Sequence, residues 1–270
     1  MGDIMKKQIQ GILFGAAIAV GLSGFAGVVN AASSNQSGDR KSGVHFTAKE
    51  TIAMQEDDMA NPAYLWLDEG EALWNKVDGS AGKSCATCHG VESAMMTTVG
   101  TRYPVYNEKL GKMQNLEQRI NQERTEKMGA KPFKYESKQM LAMTIYVKNG
   151  SRGKPMNVSI DGPAAKFFEK GKAFYFQRRG QLGISCANCH VDNEGNMIRA
   201  NLLSQGQSNG FPLYRLKWQK PGSLHRRFRG CNKQVRAKPY GYGSDEYTNL
   251  ELYLAWRSRG LKVETPAVRM

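Results

Sequence analysis

Two Cys-x-x-Cys-His motifs, at residues 85–89 and 186–190, constrain this chain more than any other feature of its sequence. Such a motif is the attachment signature of a c-type haem, whose iron the adjacent histidine ligates. A zinc site or structural disulfides are the alternative, but four of the five cysteines fall in tight pairs that a histidine follows at once. We therefore predict two covalently bound haem c groups. The attachment cysteines and iron-ligating histidines are Cys85, Cys88, His89, Cys186, Cys189 and His190.

The chain repeats itself around these motifs. Segment 70–74 matches segment 171–175 at the same offset of 101 residues that relates the two cysteine motifs. Ser137 and Ser244 begin a second matched pair of segments, and serine is a preferred helix N-cap. Repeats of this kind indicate two homologous units. We predict an all-α fold of two tandem cytochrome c-like haem domains, because the macrocycle itself supplies apolar surface for a few helices to cover.

Apolar periodicity places an amphipathic helix before each motif and a closing helix at 137–149 and 244–258. The stretch 192–219 is rich in glycine and asparagine and is predicted to be irregular. The apolar faces of the helices that precede the motifs are expected to carry Leu65, Leu73, Trp74, Phe167, Phe174 and Tyr175.

The N-terminus has the pattern of a secretory signal. Lys6 and Lys7 precede an apolar run over 12–29, and small residues follow it. We predict a signal peptide at 1–31, an N-terminal tail at 32–60, haem domain 1 at 61–153 and haem domain 2 at 154–270. A retained anchor is the alternative, since the run approaches spanning length. Cleavage predicts a periplasmic protein without stable membrane insertion, in the compartment where haem c is attached.

The chain is basic, with 38 lysines and arginines against 24 acidic residues. Such a charge often accompanies nucleic-acid binding. Export argues against nucleic acid as a partner here. Small anions and acidic partner proteins are the better candidates for a positive surface in that compartment.

The fifth cysteine, Cys231, lies in a segment from Gly195 to Ser244 that contains ten lysines and arginines and no acidic residue. A positive field favours thiolate, the form that acts as nucleophile and metal ligand. An arginine such as Arg227 can present two parallel N–H donors to a sulfur oxyanion. Three interpretations stay open from the residues themselves: an inert thiol, an axial ligand that only tunes the haem, and a sulfur carrier at the haem.

These features, with Asn-Leu-Glu-Gln-Arg-Ile-Asn at 115–121 and Arg227-x-x-x-Cys231-Asn232, resemble the SoxA family, the dihaem subunits of the SoxAX cytochromes of bacterial sulfur oxidation. The resemblance covers nearly the whole mature chain. It implies an L-cysteine S-thiosulfotransferase that conjugates thiosulfate to a cysteine of the SoxYZ carrier and passes two electrons to a small cytochrome, SoxX. It implies that Cys231 ligates the second haem opposite His190 and carries a cysteine persulfide, and that Arg227 binds the substrate.

One departure concerns the first haem. The resemblance implies a second ligand cysteine after segment 115–118, but 120–125 contains none. With one gap allowed before Lys131, the internal repeat places Glu123 opposite Cys231. The first haem therefore has another sixth ligand or none, and methionine in that position would raise the reduction potential. We predict that the first haem is spectroscopically unlike a His/thiolate haem. The candidate sixth ligands of the first haem are Met95, Met96, Met113, Met128 and His45.

Two other functions remain possible at this point. One is a dihaem electron-transfer cytochrome c without bond-making chemistry, in which Cys231 is only a ligand. A cytochrome peroxidase also has two haem domains, but the sequence offers no distal acid/base group for it. His225 precedes Cys231 by six residues and is interpreted as a hydrogen-bonding residue rather than as an alternative ligand.

Overall fold

The computed structural model of the chain describes residues 39–270. The predicted signal peptide and residues 32–38 of the predicted tail lie outside this part. Within it, none of the helices combines the length and the apolar character that crossing a membrane requires.

Helices dominate the described residues. They are α1 (Lys49–Glu56), α2 (Tyr64–Asn75), α3 (Cys85–His89), α4 (Val99–Arg102), α5 (Leu116–Lys127), α6 (Lys138–Asn149), α7 (Ala165–Phe176), α8 (Cys186–His190), α9 (Leu224–Gln234) and α10 (Asp245–Arg257). Short 3-10 turns lie at Gly43–Phe46, Ser93–Met96, Gly162–Ala164 and Leu216–Trp218.

Short strands accompany these helices, so the all-α expectation is met only in part. They are β1 (Val105–Asn107), β2 (Lys112–Gln114), β3 (Met197–Ile198), β4 (Asn201–Leu202), β5 (Leu213–Arg215), β6 (Lys220–Gly222) and β7 (Ala267–Arg269). β1 pairs with β2 and β3 with β4, both antiparallel. β5 pairs antiparallel with β6 and parallel with β7, with Leu213 opposite Ala267. These pairings join distant segments, which local periodicity does not predict.

The predicted closing helices are confirmed. The Ser137 hydroxyl accepts the N–H of Met140 at 3.2 Å, and the Ser244 hydroxyl accepts that of Tyr247 at 3.4 Å. Each closing helix packs on the helix that precedes its motif, α6 on α2 and α10 on α7. A glycine lies at both crossings: a Cβ on Gly171 would lie 2.0 Å from the carbonyl oxygen of Asn249.

Each half has its own apolar core. The first consists of Trp74, Leu116, Ile120, Met140, Met143, Tyr146 and Val147. The second is larger and includes Phe167, Phe168, Phe174, Tyr175, Phe228, Tyr247, Leu250 and Leu252. The placement of Leu65 on the apolar face was wrong, because its side chain is 69% exposed. It precedes the crossing glycine of α2, Gly70, by five residues, which rotates it about 140° away from α6.

The segment 39–60 packs against the C-terminal strand. The Gln55 side-chain oxygen accepts the N–H of Val268 at 3.0 Å. The amide of Asn61 donates to the carbonyl of Pro266 at 2.9 Å. Segment 39–60 therefore helps to hold β7. This strand pairs with β5, which carries Arg215.

Candidate active site and haem-binding sites

The second cysteine motif is a short helix with a reciprocal cap. The Ser185 hydroxyl accepts the N–H of Asn188 at 3.3 Å, and the Asn188 side chain accepts that of Ser185 at 3.0 Å. Ser84 and Thr87 make the same pair of bonds in the first motif. The cap fixes the start of each helix, and the three-residue spacing then places the two thiols on one face. Both motifs are thus built to present two thiols and a histidine together.

The imidazole of His190 is held by the main chain. Its Nδ1 lies 2.6 Å from the carbonyl oxygen of Ser204. Because a carbonyl oxygen only accepts, Nδ1 must carry the proton, which leaves the lone pair of Nε2 available to a metal. A second hydrogen bond of this kind also orients a ligating histidine.

Cys231 faces this histidine from α9. Its thiol is in hydrogen-bonding contact with the His190 side chain, and Cys186 and Cys189 lie close enough for the charge of Cys231 to act on them. None of the described cysteines forms a disulfide. The structure therefore brings together the predicted residues of the second site: two thiols to which a haem would attach, and a nitrogen and a sulfur that would be available to its iron. This donor set fits a haem c.

Cys231 is the acidic thiol of the site. Burial raises its pKa, but Arg227, the contact with His190 and Arg215 outweigh burial and lower the pKa to about 7. Burial and the neighbouring Cys231 raise the pKa of Cys186 to about 12. Near neutral pH the negative charge therefore resides on Cys231, whereas Cys186 keeps its proton.

Two guanidinium groups lie beside Cys231. Arg227 precedes it by one turn of α9, and Arg215 enters from β5. Burial and the nearby Arg227 lower the pKa of Arg215 to about 10, against the opposing effect of Cys231. Arg215 also lies over the Trp218 ring at 5.1 Å. In the sequence, Arg215 is only one of ten cations in segment 195–244. Its position near Cys231 depends on the pairing of β5 with β7, which the sequence does not predict.

The first motif opens on a cavity that is partly open to solvent. Its wall carries both motif thiols, the motif histidine and apolar side chains, so the residues present fit a haem. The lining is Trp74, Lys83, Ser84, Cys85, Cys88, His89, Met96, Val99, Arg102, Tyr103, Leu116, Arg119, Ile120, Glu123, Lys127, Met128, Met143 and Val147.

This cavity reduces the set of candidate sixth ligands. Met96, Met128 and Glu123 are in its wall. Met95 is 67% exposed, and Met113 is packed in the core of the second half. His45 is an exposed residue of the N-terminal turn. Met95, Met113 and His45 are therefore not among the described residues that line the cavity.

His225 is buried and hydrogen-bonded, which confirms its interpretation as a hydrogen-bonding residue. Its Nδ1 accepts the N–H of Gly243 at 3.0 Å, and its Nε2 lies 3.1 Å from a carboxylate oxygen of Glu251, without the geometry of a hydrogen bond. Six residues separate it from Cys231, so the two side chains leave α9 on different sides.

Comparison with known proteins identifies the family to which the chain belongs. The sequence model described as "SoxA/TsdA, cytochrome c domain" matches residues 69–156 and 170–263, and each segment contains one motif. The chain belongs to the SoxA/TsdA cytochrome c family. The resemblance found in the sequence is therefore confirmed, and a cytochrome c domain implies haem c as the cofactor.

Relatives in this family match over most of their length. The L-cysteine S-thiosulfotransferase subunit SoxA of Pseudaminobacter salicylatoxidans is 45% identical over 84% of this chain and 80% of its own. The SoxA subunit of Chlorobaculum tepidum is 33% identical over 98% of this chain and 100% of its own. The crystal structure of SoxXA from P. pantotrophus matches with a TM-score of 0.82 at 44% identity, covering 86% of this chain and 87% of that one.

Proposed function

We propose that this chain conjugates thiosulfate oxidatively to a cysteine of a SoxYZ-type carrier protein, as an L-cysteine S-thiosulfotransferase subunit. The observation that carries the proposal is the placement of Cys231. Its thiol has a pKa of about 7, contacts the imidazole of His190 and lies beside Arg227 and Arg215. The names of the relatives support the same chemistry.

The arginines bind the substrate. Thiosulfate carries two negative charges, and a thiolate would repel it in the absence of compensating cations. Arg227 and Arg215 lower that repulsion and present paired N–H donors to sulfur oxyanions. Arg227 is the main substrate-binding residue in this proposal, because it acts most strongly on the Cys231 charge.

The bond-making step takes place on the Cys231 sulfur. A bond forms between its thiolate and the outer sulfur of thiosulfate, two electrons leave, and the product is a persulfide-type adduct, Cys231–S–S–SO₃⁻. The carrier thiolate then attacks that outer sulfur, and the bond to Cys231 breaks as Cys231 leaves in the thiolate form. The carrier ends with the S–S–SO₃⁻ group, so atoms and charge balance once the two electrons are removed.

Cys186 and Cys189 would hold a haem beside Cys231, and this group would supply the redox chemistry that removes the two electrons. His190 holds its Nε2 lone pair toward that group because Ser204 fixes the Nδ1 proton. Cys231 is proposed as the donor on the other face. At the first site, His89 is the proposed axial ligand and Cys85 and Cys88 the attachment points, which makes two covalent haem c groups per chain.

The proposed setting follows from the same arguments. A small SoxX-like cytochrome accepts the electrons as a partner subunit, and the periplasm is the proposed compartment after cleavage of segment 1–31. The proposed haem domains are 61–153 and 154–270, after an N-terminal segment at 32–60. The matched family segments at 69–156 and 170–263 support this division.

The test is a Cys231→Ala holoprotein given thiosulfate, the carrier and an electron acceptor. We expect conjugation to be lost while the pyridine haemochrome assay still counts two haems. In the unaltered protein, thiosulfate should add mass to the tryptic peptide that contains Cys231, and Cys231→Ala should abolish that addition. Unchanged turnover in the variant would reduce the protein to an electron-transfer cytochrome.

A further inference from the structure

Helices α5 and α9 are equivalent elements of the two halves. Each begins after a side-chain cap: Asn115 accepts the N–H of Gln118 at 3.0 Å, and Ser223 accepts that of Arg226 at 3.1 Å. Counting from these caps aligns the helices position by position. The fourth and eighth residues are Arg119 and Glu123 in α5, and Arg227 and Cys231 in α9.

The far ends of the two helices meet the same turn, although α5 is one residue longer than α9. A Cβ on Gly79 would lie 2.2 Å from the carbonyl oxygen of Met128, and one on Gly180 would lie 2.1 Å from that of Val235. The same turn before each motif therefore packs on the same point after each helix. In its contact with this turn Met128 is thus the counterpart of Val235, and not of Cys231.

Glu123 faces the first haem cavity. It is part of the cavity wall, and its negative charge contributes to raising the pKa of Cys85, after the larger effect of burial. Its side chain is 25% exposed and forms an ion pair with Arg119, one turn earlier on α5. A carboxylate has two oxygens with about four lone pairs, so an arginine on one oxygen leaves the other able to bind a metal.

We propose that the Glu123 carboxylate is the sixth ligand of the first haem, opposite His89, and that Arg119 holds its second oxygen. The inference rests on the proposed haem at Cys85 and Cys88. It does not depend on the sulfur chemistry proposed for Cys231.

The two methionines in the cavity wall are less suited to the role. The Met128 main chain accepts the N–H of Ala81 at 3.0 Å, which fixes it beside the turn that precedes the motif. Met96 belongs to the 3-10 turn soon after His89, and its carbonyl accepts the Ser151 hydroxyl at 3.0 Å. Neither methionine lies at the α5 position that corresponds to Cys231 in α9.

The assignment separates the two halves chemically. The first half has no cysteine beyond the haem-attachment pair to accept sulfur, and Glu123 neutralises the charge of Arg119. A hard, anionic oxygen ligand favours ferric iron, whereas a thioether favours ferrous iron. The first haem is therefore an oxygen-ligated group of lower reduction potential than a His/Met haem, and sulfur loads only at Cys231.

The test is electron paramagnetic resonance and optical spectroscopy of the oxidised holoprotein and its variants. The variants are Glu123→Gln, Glu123→Cys, Met128→Leu and Met96→Leu. Glu126→Gln is the matched control, since it removes the same charge from an exposed position of α5. The haemochrome count and the signal of the Cys231 haem, read in the same samples, report whether each variant is folded and loaded.

We expect Glu123→Gln to change only the signal of the first haem, and Glu123→Cys to replace it with a second low-spin thiolate signal. Glu126→Gln and both methionine variants should match the unaltered protein. Folded, loaded Glu123 variants with unchanged spectra would overturn the assignment, as would a thioether–iron band that Met128→Leu or Met96→Leu abolishes. A count of one haem in the unaltered protein would instead overturn the proposed cofactor content, and the ligand assignment with it.

Discussion

Gly206 lies directly against the imidazole of His190: a Cβ on Gly206 would lie 2.9 Å from the His190 Cγ. The glycine also has a φ of +70°. It follows Ser204, whose carbonyl holds the His190 Nδ1, by two residues. The same short segment therefore sets both the tautomer and the position of the ring.

Gly206→Ala is expected to disturb the second haem. A positive φ costs alanine about 1 kcal/mol, and the new methyl group must also displace the His190 ring. Gly183→Ala is the matched control, since Gly183 has a φ of +57° with nothing within 4 Å of the added Cβ. Both variants should lose stability, but only Gly206→Ala should alter the absorption and resonance spectra of the Cys231 haem. Equal spectra from the two variants would contradict this.

Arg227→Ala is expected to weaken thiosulfate binding. Hydrogen bonds to charged groups contribute about 1.5–3 kcal/mol, so KM should rise about tenfold or more. Arg227→Lys keeps the charge without the planar fork and should recover part of the loss. Lys233→Ala removes a charge from an exposed position of the same helix and serves as control. If Arg227→Ala and Lys233→Ala changed KM equally in steady-state assays, general positive charge would suffice.

Gly171→Ala should destabilise the second half. The added Cβ would lie 2.0 Å from the carbonyl oxygen of Asn249, so α7 and α10 would have to separate. We expect a loss of about 3 kcal/mol in the free energy of unfolding. Gly230→Ala, on α9 with nothing within 4 Å, should instead gain up to about 1 kcal/mol from helix propensity. Denaturant unfolding of the holoproteins measures both, and a gain in both variants would exclude a close crossing.

The sequence predicts what local chemistry determines. Serine caps at Ser137 and Ser244 and apolar periodicity place two helices within a residue of their observed bounds. The internal repeat, with one gap allowed before Lys131, pairs Glu123 with Cys231, and counting from the two helix caps gives the same pair. These features depend on neighbours a few residues apart along the chain.

The rest depends on contacts between distant segments. The contact of Cys231 with His190 joins residues 41 positions apart, and Arg215 reaches the site only through β5 and its neighbour β7. Leu65 has the hydrophobicity of a core residue but is on the side of α2 that α6 does not cover. Hydrophobicity alone does not tell which side of a helix its partner covers, so such errors arise where the partner is remote in sequence.

A buried polar cluster between α5, α6, α9 and α10 should make stability depend on pH. Glu117 is 7% exposed and meets Glu251, His225 and Lys148, with Tyr135 nearby. Burial and the charge of Glu251 raise the pKa of Glu117 from 4.5 to about 7, although His225 and Lys148 act in the opposite direction. Burial in turn lowers the pKa of Lys148, against the effect of both carboxylates.

The direction of this pH dependence follows from the difference in bound protons between the folded and unfolded protein. Between pH 4.5 and about 7 the unfolded chain has already ionised Glu117 while the folded protein still holds the proton. The free energy of unfolding should therefore fall as pH rises through this window and level off above it. The contribution is at most about 3 kcal/mol. Glu117→Gln should remove this slope, and exposed Glu126→Gln should keep it. Denaturant titrations at pH 5 and pH 8 decide, and an unchanged pH difference in Glu117→Gln would show that another group carries it.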